Sequence, residues 1–168
     1  MFERRRDGCV DWDWNPSVKT TVTIRGRGAY PGVACGEAVV CRDSIAGWGP
    51  ALEAETGIVT EVGNSAYGLT IQNKVLILNG SRGSTGFATQ FHKLRVSGIS
   101  PVALVIPRID SRTGVTCAIL QIPTVTDLES DIFARISHGD WVVVDGNQGL
   151  VDIRCTANRG ETSLPRRE

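Results

Sequence analysis

The sequence lacks an excess of either charge, since Lys and Arg together number 18 and Asp and Glu together also number 18. A surface that binds nucleic acid needs a basic excess to neutralise phosphates, so this balance argues against nucleic acid as the main partner. No apolar run approaches the ~18 residues of a membrane span. The first residues also lack the apolar stretch of a signal peptide. We therefore expect a cytoplasmic protein that binds neither membrane nor nucleic acid.

The five cysteines form no CxxC pair, and their spacing does not match that of a metal site. In a cytoplasmic protein we expect reduced thiols, with Cys35, Cys41 and Cys117 as small buried residues. No metal is expected on this chain alone. The two histidines are both expected on the surface, His92 on a predicted helix and His138 in a turn. The chain therefore has no evident histidine base.

The length of 168 residues suits one domain with a core of its own. Residues 1–15 and 157–168 lack periodicity and are expected to be flexible tails, which leaves residues 16–156 as the domain. Glycine is abundant, at 19 residues, and β-branched residues occur in short runs. This composition predicts many short strands joined by tight turns.

The first part of the domain has the alternating pattern of half-buried strands. Three segments are predicted as strands: Val18–Arg25, Gly36–Cys41 and Gly57–Val62. Together they predict an antiparallel β layer in the first 65 residues. Trp48, which lies between two glycines, is interpreted as a packing plug under a loop, with an exposed contact residue as the alternative.

The second part is predicted to be a small α/β half. Val75–Leu78 is a continuous apolar run, which is typical of a strand buried on both faces. A helix follows, with Phe87, Phe91 and Leu94 on one face. Val102–Ile106 is the next apolar run. Strand, helix and strand in this order predict a βαβ unit with parallel strands.

Beyond this unit the patterns predict one more strand, one more helix and a closing hairpin. Ala118–Ile122 is predicted as a strand. Thr126-Asp-Leu-Glu129 has the pattern of a capping box and predicts a helix whose apolar face runs to Ile136. Trp141–Asp145 and Leu150–Arg154 are predicted to pair as a hairpin. The predicted fold class is therefore α/β, with an antiparallel β layer and a small parallel half.

The loop Asn79–Gly86 (NGSRGSTG), between the predicted strand and helix, has the features of an anion site. Its three glycines let the backbone approach a ligand closely. The helix that follows presents free N–H groups and the positive end of its dipole. Arg82 carries a guanidinium suited to a carboxylate or phosphate, and Ser81, Ser84 and Thr85 add hydroxyl groups. Ser84 taken alone is also a typical helix N-cap.

Two nucleotide-binding motifs are absent from this loop. A P-loop needs a lysine after its second glycine, and here Gly86 is followed by Phe87. The dinucleotide-binding pattern GxGxxG is also absent. Without a base of its own, Ser84 needs activation by a partner, a metal or an anion-stabilising site.

Several short motifs occur in a fixed order along the chain. They are Gly32-Val-Ala-Cys-Gly36-Glu-Ala, Trp48-Gly49 with Thr56-Gly57, Lys74-Val-Leu-Ile-Leu78 with Arg82-Gly-Ser-Thr85, Ser100-Pro-Val-Ala103, Ile122-Pro-Thr-Val125, and Gly139-Asp140 with Val144-Asp145-Gly146 and Gly149. Together they resemble the small subunit, or swivel domain, of the aconitase X group. The resemblance covers about Val18 to Ile153 and implies a swivelling β/β/α domain that is similar to the C-terminal domain of aconitase.

The resemblance also implies an activity. Members of the group are dehydratases (hydro-lyases) made of a large and a small part, fused or separate. The large part carries the iron or iron–sulfur centre, whereas the small part has no cofactor and closes over a small hydroxy-acid substrate. By this resemblance Ser84 is the catalytic base, and Ser81, Arg82, Gly83 and Thr85 contact the substrate. The chain alone is then expected to be inactive.

The resemblance leaves two substrates open. The first expectation is dehydration of cis-3-hydroxy-L-proline to pyrroline-2-carboxylate, and the alternative is dehydration of phosphomevalonate. Ser81 intervenes between Gly80 and Arg82, where the group usually has glycine directly before Arg or Lys. The tryptophan turn also departs from the pattern of the group. Both departures lie in substrate-facing loops and allow a divergent substrate.

Two other classes of protein are possible on the same fold. Phosphohistidine domains of phosphoenolpyruvate-using enzymes end in motifs much like Ile122–Val151. They carry Thr-Ser-His-Ala where this chain has Ser84-Thr-Gly-Phe87, so phosphoryl transfer at that position is excluded. A non-catalytic regulatory or assembly module is compatible with the lack of metal ligands and of a general acid, and it stays open.

Overall fold

The computed structural model describes residues 18–48, 51–83 and 86–156, with side chains from residue 22 to residue 154 within those ranges. The predicted tails 1–15 and 157–168 lie outside them. Within them the elements are β1 Val18–Arg25, β2 Arg27–Tyr30, β3 Val33–Cys41, β4 Val75–Leu78, α1 Gly86–Val96, β5 Ala103–Ile106, α2 Ser111–Leu120, β6 Thr124–Thr126, the 3-10 helix Ile132–Ala134, β7 Trp141–Asp145 and β8 Leu150–Thr156. No helix in these ranges has the length and apolar character needed to cross a bilayer.

The strands form one mixed sheet in the order β1-β8-β7-β3-β4-β5-β6-β2. β3 divides it, because this strand runs antiparallel to β7 and parallel to β4. On one side lie the antiparallel strands β7, β8 and β1, and on the other the parallel strands β4, β5 and β6. The predicted α/β class, the βαβ unit and the closing hairpin of β7 and β8 are therefore confirmed.

The sheet buries a different set of side chains on each face, because side chains alternate along a strand. Val39 of β3 packs in one apolar cluster with Phe87 and other residues of α1 and α2. Its neighbour Val40 belongs to a second cluster, which includes Val144 of β7. The short parallel strands β4 and β5 are buried throughout, as their apolar runs predict. Strand β4, which leads into the Gly-rich loop, is thus packed against apolar side chains on both faces of the sheet.

The first strands do not form a layer by themselves, contrary to the prediction. β1 pairs with β8, and β2 pairs with β6, so each takes its partner from the second half of the chain. Gly57–Val62 is not a strand and makes only isolated bridges, from Leu52 to Val59 and from Ile58 to Thr70. The alternating pattern was a correct sign of burial, but it cannot identify the partner of a strand.

Ala118–Ile122 is not a strand either, because α2 covers most of this segment. The helix begins at a capping box that Asp110 forms with Thr113, and the sequence-based prediction did not include this signal. Gln121 ends the helix in the left-handed conformation, with a φ of 53°. The strand of this region is β6, which follows.

Removal of the Asp110 cap is expected to destabilise the domain. Its carboxylate accepts hydrogen bonds from the N–H of Arg112 at 3.0 Å and of Thr113 at 2.8 Å. Asp110→Ala is expected to lower the free energy of unfolding by about 1 kcal/mol, measured by urea denaturation. Asp110→Asn is the matched control, because asparagine also caps helices but carries no charge. An unchanged stability of the alanine variant would contradict the role of the cap.

The same carboxylate makes this stabilisation pH-dependent. Partial burial raises the pKa of Asp110, but the hydrogen bonds from Thr113 and Arg112 outweigh it, so the pKa lies below its ordinary value. A group with a lowered folded-state pKa stabilises the fold above its unfolded pKa of about 3.9 and loses that effect as the pH falls through the folded pKa. The stability difference between wild type and D110N is therefore expected to shrink below about pH 4. A stability difference between wild type and D110N that stays constant from pH 7 to pH 3 would contradict this pH dependence.

The helix predicted from Thr126-Asp-Leu-Glu129 is absent. Thr126 ends β6, and Asp127 has a φ of 50°, which is not helical. The Asp127 carboxylate accepts two hydrogen bonds from Arg27, at 2.9 Å and 2.7 Å, and is engaged there instead of at a helix start. Only the 3-10 helix Ile132–Ala134 forms, with Asp131 as its N-cap.

The cysteines divide into two kinds. Cys41 and Cys117 are free and buried, as predicted, and burial raises the pKa of their thiols to about 12 and about 11. Cys35 is disulfide-bonded, so the prediction that it is a reduced thiol is wrong, and it is only partly buried. Sequence spacing cannot show which sulfur atoms the fold brings together. The side chains of Cys9 and Cys155 lie outside the described residues.

Candidate functional site

The Gly-rich loop lies at the carboxyl end of β4, between that strand and α1. Ligands of α/β folds bind at this edge of the sheet. The structure describes residues 79–83 of the loop, and α1 begins at Gly86. Ser84 and Thr85 lie outside the described residues, so the catalytic role of Ser84 and the substrate contact of Thr85 stay predictions.

A second loop, residues 42–48, runs beside the first. The N–H of Ile45 donates to the carbonyl of Gly80 at 3.1 Å, and the N–H of Arg82 donates to the carbonyl of Ile45 at 2.9 Å. Ile45 and Ser81 therefore form a parallel bridge. The two loops continue the pairing of β3 and β4 past the ends of these strands, which holds the backbone of the candidate site in place.

Ser81 shapes the turn of the loop. Its Oγ accepts a hydrogen bond from the N–H of Gly83 at 3.1 Å. Gly80 and Gly83 have φ angles of 129° and 113°, a region that side-chain-bearing residues rarely adopt. The side chain of the serine that separates Gly80 from Arg82 thus stabilises the turn through this hydrogen bond. The substrate contacts predicted for Ser81 and Gly83 stay predictions.

Arg82 pairs with a carboxylate that no sequence pattern marks. Its Nη2 forms an ion pair with Oε1 of Glu61, and the Arg82 side chain is 52% exposed whereas that of Glu61 is only 12% exposed. The other oxygen of Glu61, Oε2, accepts a hydrogen bond from the N–H of Ala46 at 3.1 Å. The predicted anion-binding arginine is therefore already oriented by the protein.

Trp48 lies at the same place, and its exposure decides between the two interpretations of this residue. The residue is 59% exposed, so it is not a packing plug. Its Cζ3 atom lies 3.9 Å from the point that a Cβ would occupy on Gly83. The structure favours the alternative, an exposed indole beside the loop that is available for a contact.

The histidines lie on the surface, as predicted. The Nδ1 of His138 accepts a hydrogen bond from the N–H of Val40 at 3.1 Å, and its Nε2 lies 3.1 Å from the carbonyl oxygen of Ser65. With Nδ1 as the acceptor, Nε2 is the ring nitrogen that faces the Ser65 carbonyl as a donor. His138 therefore links β3 to the segment between β3 and β4 and is engaged in structure.

The described part of the chain does not fit a metal centre. No group of three or more His, Cys, Asp or Glu side chains converges there. The described residues therefore supply no set of ligands for a metal ion.

Comparison with known proteins supports a single family. A family model for the aconitase X swivel domain matches residues 23–153. The phosphomevalonate dehydratase small subunit of Methanocella arvoryzae is 33% identical over 130 residues, which cover 77% of this chain and 98% of that protein. The protein of the same name from Methanosarcina acetivorans is 32% identical over 132 residues, which cover 79% and 91% of the two chains.

A solved structure has the same fold. The crystal structure of Thermococcus kodakaraensis aconitase X, in its holo-form, matches with a TM-score of 0.71 and 26% identity, covering 79% of this chain and 98% of that chain. This match confirms the swivelling α/β domain that the resemblance implies. All motifs of the resemblance fall inside the residues that the family model matches. The chain therefore belongs to the aconitase X swivel domain family.

Proposed function

We propose that this chain is the small subunit of an aconitase X-type dehydratase and that it closes over a hydroxy-acid substrate held by a large subunit. The proposal rests on the family match. It is supported by the Gly-rich loop at the carboxyl end of β4, whose backbone is hydrogen-bonded to the neighbouring loop 42–48. The names of the relatives from Methanocella arvoryzae and Methanosarcina acetivorans support it, since both are named as small subunits of a dehydratase.

The chemistry suits the residues of the loop. Dehydration next to a carboxylate removes a proton from carbon and releases hydroxide from the neighbouring carbon. Ser84 is the proposed base, and its alkoxide needs stabilisation by N–H groups and positive charge. The N-terminus of α1 and the guanidinium of Arg82 are suited to supply both. The acid or metal that assists the departure of hydroxide, an iron or iron–sulfur centre by the resemblance, is assigned to the large subunit.

Phosphomevalonate is the first substrate to test, because the cited relatives are named for its dehydratase. cis-3-Hydroxy-L-proline, which the resemblance also implies, is the second candidate. Arg82 is paired with Glu61 through one nitrogen and is half exposed, so its remaining donors suit the carboxylate that both compounds carry.

Reconstitution of the two subunits tests the proposal. The tagged full chain is expected to copurify with an aconitase X large subunit, and the pair is expected to dehydrate one of the two compounds. The isolated chain is expected to fold and to give no turnover, because half of the site is then missing. Dehydration is measured as consumption of each hydroxy acid. Turnover by the isolated chain would contradict the division of the site, and a pair that dehydrates neither compound would contradict both substrate assignments.

A further inference from the structure

Glu61 lies where the two loops of the candidate site meet. Its Oε1 pairs with Nη2 of Arg82 in the loop 79–83. Its Oε2 accepts the N–H of Ala46, in the loop 42–48, at 3.1 Å. One carboxylate thus joins the side chain of one loop to the backbone of the other. Since little of Glu61 is exposed, water and salt screen these bonds less than they screen a surface ion pair.

The carbonyl group of Ala46 is hydrogen-bonded as well as its N–H group. Its carbonyl accepts a hydrogen bond from Nε2 of Gln90 at 3.1 Å, and Gln90 belongs to α1. Ala46 is buried and lies two residues before Trp48, the exposed indole beside Gly83. Glu61 therefore fixes both the guanidinium of Arg82 and the backbone that leads to Trp48.

Two other ion pairs in the described part of the chain lie further out in solvent. Glu37, which pairs with Lys74, has a side chain that is 52% exposed, and the carboxylate of Asp127 is also more exposed than that of Glu61. A buried carboxylate costs free energy unless its oxygens find partners. Both oxygens of Glu61 have them, and one partner is an arginine that is half exposed at the site. This arrangement orients Arg82 more than an exposed pair would.

We propose that Glu61 is a positioning residue of the dehydratase site, which holds the guanidinium of Arg82 ready for a substrate carboxylate. This inference rests on the proposed function. A guanidinium has five N–H donors in a planar fork, so Arg82 can keep one bond to Glu61 and offer others to a substrate. Without Glu61 the long side chain is free to rotate, and substrate binding has to order it.

Kinetics of the reconstituted complex test the proposal. Glu61→Gln keeps the size of the side chain and removes its charge. It is expected to raise KM about 10-fold, as for the loss of one charge-assisted hydrogen bond, and to change kcat less than about 3-fold. Glu61→Asp, which keeps the charge, is expected to recover part of the loss. The matched control is Glu37→Gln, which removes the exposed pair with Lys74 and is expected to leave KM unchanged.

A double-mutant cycle shows whether Glu61 acts through Arg82. Arg82→Gln is expected to raise KM by itself, and adding Glu61→Gln is expected to raise it little further, because the two residues then share one effect. Effects that multiply would overturn the proposal, since Glu61 would act independently of Arg82. A normal KM for the Arg82→Gln variant would overturn it too.

Hydrogen exchange gives a readout that does not depend on turnover. In the full chain alone, Glu61→Ala removes the acceptor of the Ala46 N–H, so exchange at that amide is expected to speed up at least about 10-fold relative to Glu37→Ala. Unchanged exchange at Ala46 would overturn the link between the loops, whatever the activity. A complex without dehydratase activity would overturn the proposed function and the kinetic role of Glu61, even where exchange confirms the link.

Discussion

Replacement of Ser84 by alanine in the assembled complex is expected to lower kcat at least about 100-fold, because loss of an essential proton-transfer group costs on the order of 10² to 10⁴ in rate. Assembly is expected to persist, since a single loop hydroxyl contributes little to subunit association. Steady-state dehydration rates and size-exclusion chromatography of the same preparation measure both quantities. Ser97→Ala, at an exposed position past the end of α1, is the control and is expected to have normal activity.

A cap-preserving variant separates catalysis from helix capping. If Ser84 were only an N-cap, its alanine variant would lose about 1 kcal/mol of stability and keep its turnover. Ser84→Asn retains a good capping group but cannot serve as an alkoxide base. It is therefore expected to be as stable as wild type and as inactive as the alanine variant. Near-normal turnover in either variant would contradict the serine base and favour a non-catalytic module on this fold.

Replacement of Gly146 by alanine is expected to cause the largest loss of stability among the substitutions proposed. Gly146 follows β7, and its N–H donates to the carbonyl of Gly32 at 2.8 Å. A Cβ on Gly146 would lie 2.0 Å from the carbonyl oxygen of Tyr30 and 3.2 Å from the backbone N of Thr124. Because these are backbone atoms, no side-chain rotation relieves the overlap. We expect a loss of about 3 kcal/mol in the free energy of unfolding, measured by urea denaturation.

Gly63 offers the matched control for that experiment. It has a φ of 85°, and a Cβ placed there would meet no atom within 4 Å. Gly63→Ala therefore carries the backbone strain of a left-handed residue without any overlap, at a cost of about 1 kcal/mol. Equal losses in the two variants would mean that the close approach of the hairpin turn to Tyr30 does not matter for stability.

The parallel half of the fold could be predicted because its signals are local. The apolar run of β4 and the helical spacing of Phe87, Phe91 and Leu94 are both visible in a short window, and all three side chains are buried. A parallel crossover then places β5 next to β4. The helix α2 could not be predicted in the same way. Its sequence, SRTGVTCAIL, contains β-branched residues and a glycine, which are weak helix formers, and its packing against α1 outweighs that preference.

The antiparallel half depends on partners that lie far apart in the chain. Thr23 of β1 donates its hydroxyl hydrogen to Asp152 of β8 across 129 residues. The alternation of β1 shows which side chains are buried, but it carries no information on which strand lies beside it. Gly57–Val62 was predicted from a similar pattern, yet it makes only isolated bridges and forms no strand of the layer.

By itself the sequence determined the family motifs, the Gly-rich loop and its position between an apolar strand and a helix, because each of these is a property of consecutive residues. Only the tertiary structure decided that Arg82 is paired with Glu61, that Trp48 is exposed beside Gly83 and that Cys35 is in a disulfide. The first two relations arise where one loop folds back on another. Local periodicity reports the burial of a residue, and it does not report the residue that the rest of the chain brings next to it.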